Sequence, residues 1–308
     1  MNIAIIGSNG FIGRHLTQAL LKDPNNKVFL FGKNSTSFFK DKLPYTKIDL
    51  TDATQVNAHF ASIDVVYYLA SESIPSTSWH KPMLEIELNL IPFIQFMECI
   101  SQLNVKKLAF VSSAGTVYGA NKDKVGEDAA KSPFSPYGIT KLTMEYYLNY
   151  YTIKYGIHAD VFRVSNVYGP GQDTSKGLGI INTFLEHIIR TAAVTIFGNG
   201  ENIRNYIYIH DLAELLTLSV ISPLSSSNTY NLSSDDTLTI NALVSIMKKV
   251  VDEDFRIHYK EMRESDNSII VLDNTKIKNA LPGFRFTTLE KGIEQTYKSL
   301  KGQLLKNN

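Results

Sequence analysis

The chain has 308 residues, 44% of them hydrophobic, and its charges nearly cancel at a formal +1. That length allows one large α/β unit or two unequal domains around a sizeable core. No basic stripe or block of like charge points to nucleic acid or a membrane surface. A single cysteine, Cys99, excludes a disulfide scaffold and permits a reducing compartment.

The first apolar run, residues 3–6, stops at Gly7, too early for a signal peptide. No stretch approaches the roughly 20 apolar residues of a membrane span, so the chain reads as soluble and cytoplasmic. Short β-type runs follow at 28–31, 46–48, 65–69, 107–111 and 158–164. Between them lie helical patterns at 11–21, 89–103 and 137–155, the last closed by Gly156. This alternation predicts a doubly wound parallel sheet with helices on its faces. After Tyr168-Gly-Pro-Gly171 the pattern turns irregular. Helices are expected there at 180–192, 210–220 and 240–251, and strands at 194–197, 203–209, 229–232 and 256–259. The domain boundary is placed near Pro170.

Two local patterns carry chemistry. Gly7-Ser-Asn-Gly10-Phe-Ile-Gly13 opens a helix straight after the first strand. Its glycines permit a tight turn and close backbone approach, and the helix N-terminus offers free N–H groups to a pyrophosphate. The dinucleotide is therefore expected against Gly7, Asn9, Gly10, Phe11, Ile12 and Gly13. Lys33, Asn34, Asp49, Leu50, Leu69 and Ala70 complete the expected cofactor site. The second pattern is Tyr137-Gly-Ile-Thr-Lys141, whose Tyr and Lys share one helix face. A nearby ammonium favours the phenolate and draws a tyrosine down from about 10. Such a phenol can give or take a proton at a carbinol or carbonyl. Together the two patterns indicate nicotinamide redox chemistry, with Tyr137 and Lys141 at both the catalytic and the cofactor site.

The spacing of the glycines resembles the short-chain dehydrogenase/reductase superfamily, and further motifs resemble its extended, nucleotide-sugar branch. These are Val111-Ser-Ser-Ala-Gly-Thr-Val-Tyr-Gly119, Ser135-Pro-Tyr-Gly-Ile-Thr-Lys141, Arg163-Val-Ser-Asn-Val-Tyr-Gly-Pro170 and Ile203-Arg-Asn-Tyr-Ile-Tyr-Ile-His-Asp211. The resemblance implies a Rossmann-type dinucleotide domain over 1–169 and a smaller α/β substrate domain over 170–308. It implies that Lys141 also holds the nicotinamide ribose and that Asn166 meets the diphosphate of a nucleotide sugar. Arg204 and Arg263 look like the family's diphosphate clamps, a role that suits the guanidinium fork. A homodimer joined through the helices at 89–103 and 137–155 is also implied, and Tyr146, Tyr147, Tyr150 and Tyr151 suit a partner surface. The seven histidines show no metal-ligand spacing, so no metal is expected.

Two departures from the family pattern bear on the reaction. The second strand runs into Gly32-Lys33-Asn34, without the carboxylate that binds the adenosine ribose in most NAD-binding relatives. Lys33 would attract a 2′-phosphate, so NADP(H) is expected in preference to NAD(H). At the substrate oxygen, Ala114 stands where relatives carry a hydroxyl, which leaves Thr116 and Ser113 as candidates. Gly115 and Thr116 replace the Asp-Glu pair of the dehydratases, which argues against 4,6-dehydration. The expected activity is reduction of the C4 keto group of a nucleotide-activated 4-keto-6-deoxyhexose. The alternative is an NAD-dependent UDP-hexose C4 epimerase.

Overall fold

Runs of apolar residues buried on both faces set the main sheet, as a parallel sheet covered by helices requires. The computed structural model describes residues 1–306 apart from Lys122, Lys176, Leu178, Leu224 and 262–268. Its strands are β1 (Asn2–Ile6), β2 (Lys27–Gly32), β3 (Tyr45–Lys47), β4 (Val65–Tyr68), β5 (Lys107–Ser113), the short β6 (Lys124–Val125) and β7 (His158–Val164). They continue as β8 (Asn166–Tyr168), β9 (Ala193–Phe197), β10 (Ile203–Tyr208), β11 (Asn228–Leu232), β12 (Thr237–Thr239), β13 (Arg256–Lys260) and β14 (Val271–Leu272). Seven strands form one sheet in the order β11-β7-β5-β4-β1-β2-β3. From β3 to β5 neighbouring strands run parallel, with Ala4 facing Phe29 on one side and Val66 on the other. This is a Rossmann-type arrangement, and its strand order reverses between β1 and β4, where such sheets open a ligand crevice.

The helices that matter to the site are α1 (Phe11–Leu20), α2 (Ala53–Phe60), α3 (Pro75–His80), α4 (Pro82–Glu85), α5 (Ile91–Ile100), α6 (Ala114–Val117) and α7 (Pro136–Tyr155). One π-helical turn, Ile86–Leu90, joins α4 to α5. Helix α7 starts at Ser135, whose hydroxyl accepts from the Gly138 N–H, and stops at Gly156 in the left-handed region at φ 73°. Phe60, Phe93, Phe96 and Phe110 are fully buried and pack between the sheet and α2 and α5.

The chain divides into two compact units: Met1–Val117 with Lys131–Arg163 and Ala213–Tyr230, and Tyr118–Ala130 with Val164–Leu212 and Asn231–Asn308. The sequence pattern places one cut at 169/170, whereas these units interleave along the chain. The second unit holds a three-stranded sheet, β12-β10-β8, and the parallel pair β13-β9. The helix expected over 89–103 begins earlier, at Pro82, and passes through the π turn. Helix α2 is absent from the sequence expectation; Val56 and Phe60 are its only buried residues, too few for a visible apolar stripe. The C-terminal helix Leu289–Lys306 is likewise an addition to the expected elements.

Candidate active site

The glycine loop between β1 and α1 is built by exclusion. Gly7 sits at φ 85°, and a Cβ there would lie 3.0 Å from the Ala70 nitrogen. A Cβ on Gly13 would lie 2.4 Å from the Gly7 carbonyl oxygen, so only glycine lets α1 start against the strand end. Gly10 begins α1 with no side-chain cap, and the first turn, which contains Phe11, Ile12 and Gly13, carries no acid. Its N–H groups and dipole therefore remain available to an anion. Gly7, Asn9, Gly10, Lys33, Asn34, Asp49, Leu50, Leu69 and Ala70 all line one cleft of about 770 Å³. Asn9 also braces the outer loop, donating to the Thr36 carbonyl at 2.8 Å and accepting from the Phe38 N–H at 2.7 Å. A cradle that a Cβ would fill and an uncapped helix N-terminus fit a dinucleotide.

At the end of β2 the structure differs from the expectation of a lysine aimed at a phosphate. The Lys33 ammonium forms an ion pair with Glu72, and Glu72 lines the same cleft. Asn89, in the π turn, fixes the loop that carries this acid by accepting from the Glu72 N–H at 2.8 Å. Gly32 faces Tyr45, whose hydroxyl oxygen would lie 2.9 Å from an added Cβ. That hydroxyl donates to the Asn34 carbonyl at 2.8 Å.

Helix α7 and the end of β5 bring the proton-handling groups together. Lys141 is buried; its Nζ donates to the Val111 carbonyl at 3.2 Å and lies 4.9 Å from the Phe110 ring centre and 5.6 Å from that of Tyr137. Removal from water brings the lysine down to about 8, while Glu85 and Glu145 pull it upward. Tyr137 is pushed up to about 12, chiefly by loss of solvent and secondarily by Glu85; a hydrogen bond with Ser71 acts the other way. The downward shift expected from the neighbouring lysine is thus reversed in this structure. By the pH at which so raised a phenol would ionise, a lysine of about 8 is already neutral and exerts no pull, and the Glu85 carboxylate opposes ionisation.

Ser113 ends β5 half-buried, and Thr116 follows in α6, its hydroxyl within 3.4 Å of the Ser113 carbonyl. Gly138 seats α7 on this turn: a Cβ there would lie 2.6 Å from the Thr116 carbonyl oxygen. Ala114 is fully buried. Beneath Lys141, Glu145 accepts from Ser112 at 2.6 Å and from Arg163 Nη2 at 2.7 Å, all three nearly water-free. Ser71, Glu85, Glu145 and the seating role of Gly138 are additions to the site that the sequence motifs did not supply. Glu145 had left a signal, since it stands four residues beyond Lys141 on the same helix face.

Of the expected substrate residues, Asn166 and Arg204 line a cavity of about 440 Å³ in the second unit. The Asn166 amide donates to the Asn205 carbonyl at 2.9 Å, and one Arg204 nitrogen donates to the Ile203 carbonyl at 3.0 Å. Thr195, Phe197, His187 and Lys260 share this cavity. Arg263 lies outside the described residues. Among the described residues no cluster of His, Cys, Asp or Glu could hold a metal ion, and no helix is long and apolar enough to cross a membrane.

Residues 3–233 match the family described as NAD dependent epimerase/dehydratase. The chain belongs to this family of nucleotide-sugar enzymes. Within it, the chain is similar to the crystal structure of UDP-glucose 4-epimerase with UDP-glucose from Thermotoga maritima, at 28% identity and a TM-score of 0.91 over 99% of this chain and 100% of that one. The Thermus thermophilus UDP-glucose 4-epimerase in complex with NAD is 26% identical, with a TM-score of 0.89 over 98% and 99% of the two chains. Among curated relatives, the dTDP-4-dehydro-6-deoxyglucose reductase of Escherichia coli is 27% identical over 97% of each chain. Several family members of similar identity are named UDP-glucose 4-epimerases.

Proposed function

We propose that this protein is an NAD-dependent 4-epimerase of a UDP-hexose. The observation that carries this reading is the Lys33–Glu72 ion pair: the cation on which an NADP(H)-consuming reductase was expected is already matched by a carboxylate. The resemblance in fold and sequence to UDP-glucose 4-epimerases points the same way. The reductase expected from the sequence stays as the second reading, favoured by the Escherichia coli relative.

NAD, held by the glycine loop and Lys141, would supply reversible hydride transfer at C4 of the sugar, so inversion there would consume no cofactor overall. Tyr137 takes the proton from the C4 hydroxyl and gives it back. Lys141, fixed by the Val111 carbonyl, supplies the positive charge that favours the phenolate and holds the nicotinamide ribose. Thr116, or Ser113 beside it, donates a hydrogen bond to the same sugar oxygen. The uncapped start of α1 holds the pyrophosphate of the cofactor. Asn166 and Arg204 hold the diphosphate of the substrate, the arginine through charge-assisted hydrogen bonds. The same reading includes a homodimer: Met83, Leu88, Ile91, Tyr146, Tyr150 and Ile153 are all exposed, an apolar load that a partner's copy of these helices would cover.

The test is conversion of UDP-galactose to UDP-glucose by purified protein with no dinucleotide added, scored by chromatography. Turnover together with NAD released on denaturation is the expected result. No interconversion, with NADPH oxidised by a nucleotide-linked 4-keto-6-deoxyhexose, would hand the site to the reductase reading. A sedimentation mass of one chain would remove the dimer.

A further inference from the structure

We propose that Glu72, acting through Lys33, sets the dinucleotide preference of this cleft. The inference rests on the reading of NAD as cofactor. It assigns the preference to a residue on the loop after β4, where neither the sequence pattern nor the family's β2 carboxylate would place it.

The end of β2 offers no carboxylate to a ribose; it offers Gly32, Lys33 and Asn34. Left alone, Lys33 would be a cation at the cleft mouth and would favour a 2′-phosphate. In the structure its ammonium is held by Glu72, and both residues line the cleft together. The acid is not placed by chance, because Asn89 anchors its backbone N–H and donates through its own amide to Ser73 at 3.0 Å and Glu85 at 3.2 Å. A 2′-phosphate arriving at Lys33 must displace this carboxylate or sit beside it, and like charges at that range repel. A neutral 2′-hydroxyl meets neither cost. Lys47 and Asp49, the other charged residues lining the cleft, bring one charge of each sign. The preference therefore turns on whether Lys33 is matched.

The Lys33 side chain is 67% exposed, so the effect is screened and modest. The experiment measures dissociation constants of NAD⁺ and NADP⁺ for nucleotide-stripped wild type, Glu72→Gln, Lys33→Ala and the double variant, at low and high salt. Wild type should bind NAD⁺ the tighter of the two. Glu72→Gln should shift the ratio toward NADP⁺ on the order of tenfold at low salt, with the gain shrinking as salt screens the exposed lysine. The double variant should not show this gain. A Glu72→Gln ratio within about twofold of wild type overturns the proposal. So does an equal gain in the double variant, which would mean that Glu72 acts without Lys33. Glu72→Ala provides a second neutral variant should Glu72→Gln fail to fold, judged by circular dichroism and on the same two criteria. Hexose interconversion decides the epimerase reading separately and is unaffected by either result.

Discussion

Replacing Lys141 with methionine, which keeps the length of the chain and removes its amine, tests the electrostatics at the centre of the site. Burial takes this lysine from its usual 10.5 to about 8, with Glu85 and Glu145 offsetting part of the cost. At 1.36 kcal/mol per pH unit, that gap amounts to about 3 kcal/mol of penalty for holding a charge away from water. The sign follows from the two values. Below about pH 8 the lysine is charged in both the folded and the unfolded chain, and the folded state carries the full cost. As pH rises toward 10.5 the folded lysine is already neutral and the unfolded one follows, so the cost disappears. Wild type should therefore gain about 2 kcal/mol relative to Lys141→Met between roughly pH 7.5 and 9.5. The assay is urea unfolding of both proteins at three pH values across that window. Groups remote from Lys141 cancel in the difference. Tyr137 does not intrude, since a phenol raised to about 12 loses stability only above its unfolded value of 10. A difference that stays flat to within about 0.5 kcal/mol would refute the burial of a strained charge at this position.

Tyr137→Phe should retain cofactor affinity and lose turnover by about 10²–10⁴-fold, the worth of a placed proton donor; activity within about threefold of wild type would remove it from that role. The hydroxyl at the sugar oxygen is decided by comparing Thr116→Val with Ser113→Ala in kcat, where loss of the working donor costs on the order of 10²–10³-fold. Thr116 is expected to be that donor, and a silent Thr116→Val beside a crippled Ser113→Ala would move the assignment to Ser113. Gly138→Ala should lower the melting temperature and the activity together, because its methyl would meet the Thr116 carbonyl oxygen at 2.6 Å. Overpacking of this kind costs about 1–3 kcal/mol, and an unchanged melting temperature would show that α7 can shift away at no cost.

What could be read from the sequence was whatever lies close together along the chain. The alternation of apolar runs pointed to the parallel sheet, because a strand buried on both faces admits few other residues. The glycine loop and the Tyr137–Lys141 pair were legible for the same reason: loop, helix start and one-turn spacing are local geometry. The residues that tune those groups come from elsewhere. Arg163 reaches Glu145 across 18 positions, and Lys33 reaches Glu72 across 39. No periodicity links such pairs; the sheet order does.

That distinction explains why Lys33, read in the sequence as a cation open to a 2′-phosphate, is found paired with a carboxylate. A lysine in a sequence reads as a positive charge, and the absence of an acid beside it reads as an open invitation to phosphate. The charge that a ligand meets is the sum over everything the fold brings within a Debye length of it, about 10 Å in ordinary buffer. In this cleft the sum at Lys33 includes Glu72, carried in on the loop after β4 and anchored by Asn89. Tyr137 shows the same effect. The lysine four residues away was visible in the sequence; the burial and the Glu85 carboxylate that raise the phenol were not. In both places the local motif is legible in the sequence, while the surroundings come from distant segments: Glu72 beside Lys33, and burial followed by Glu85 around Tyr137.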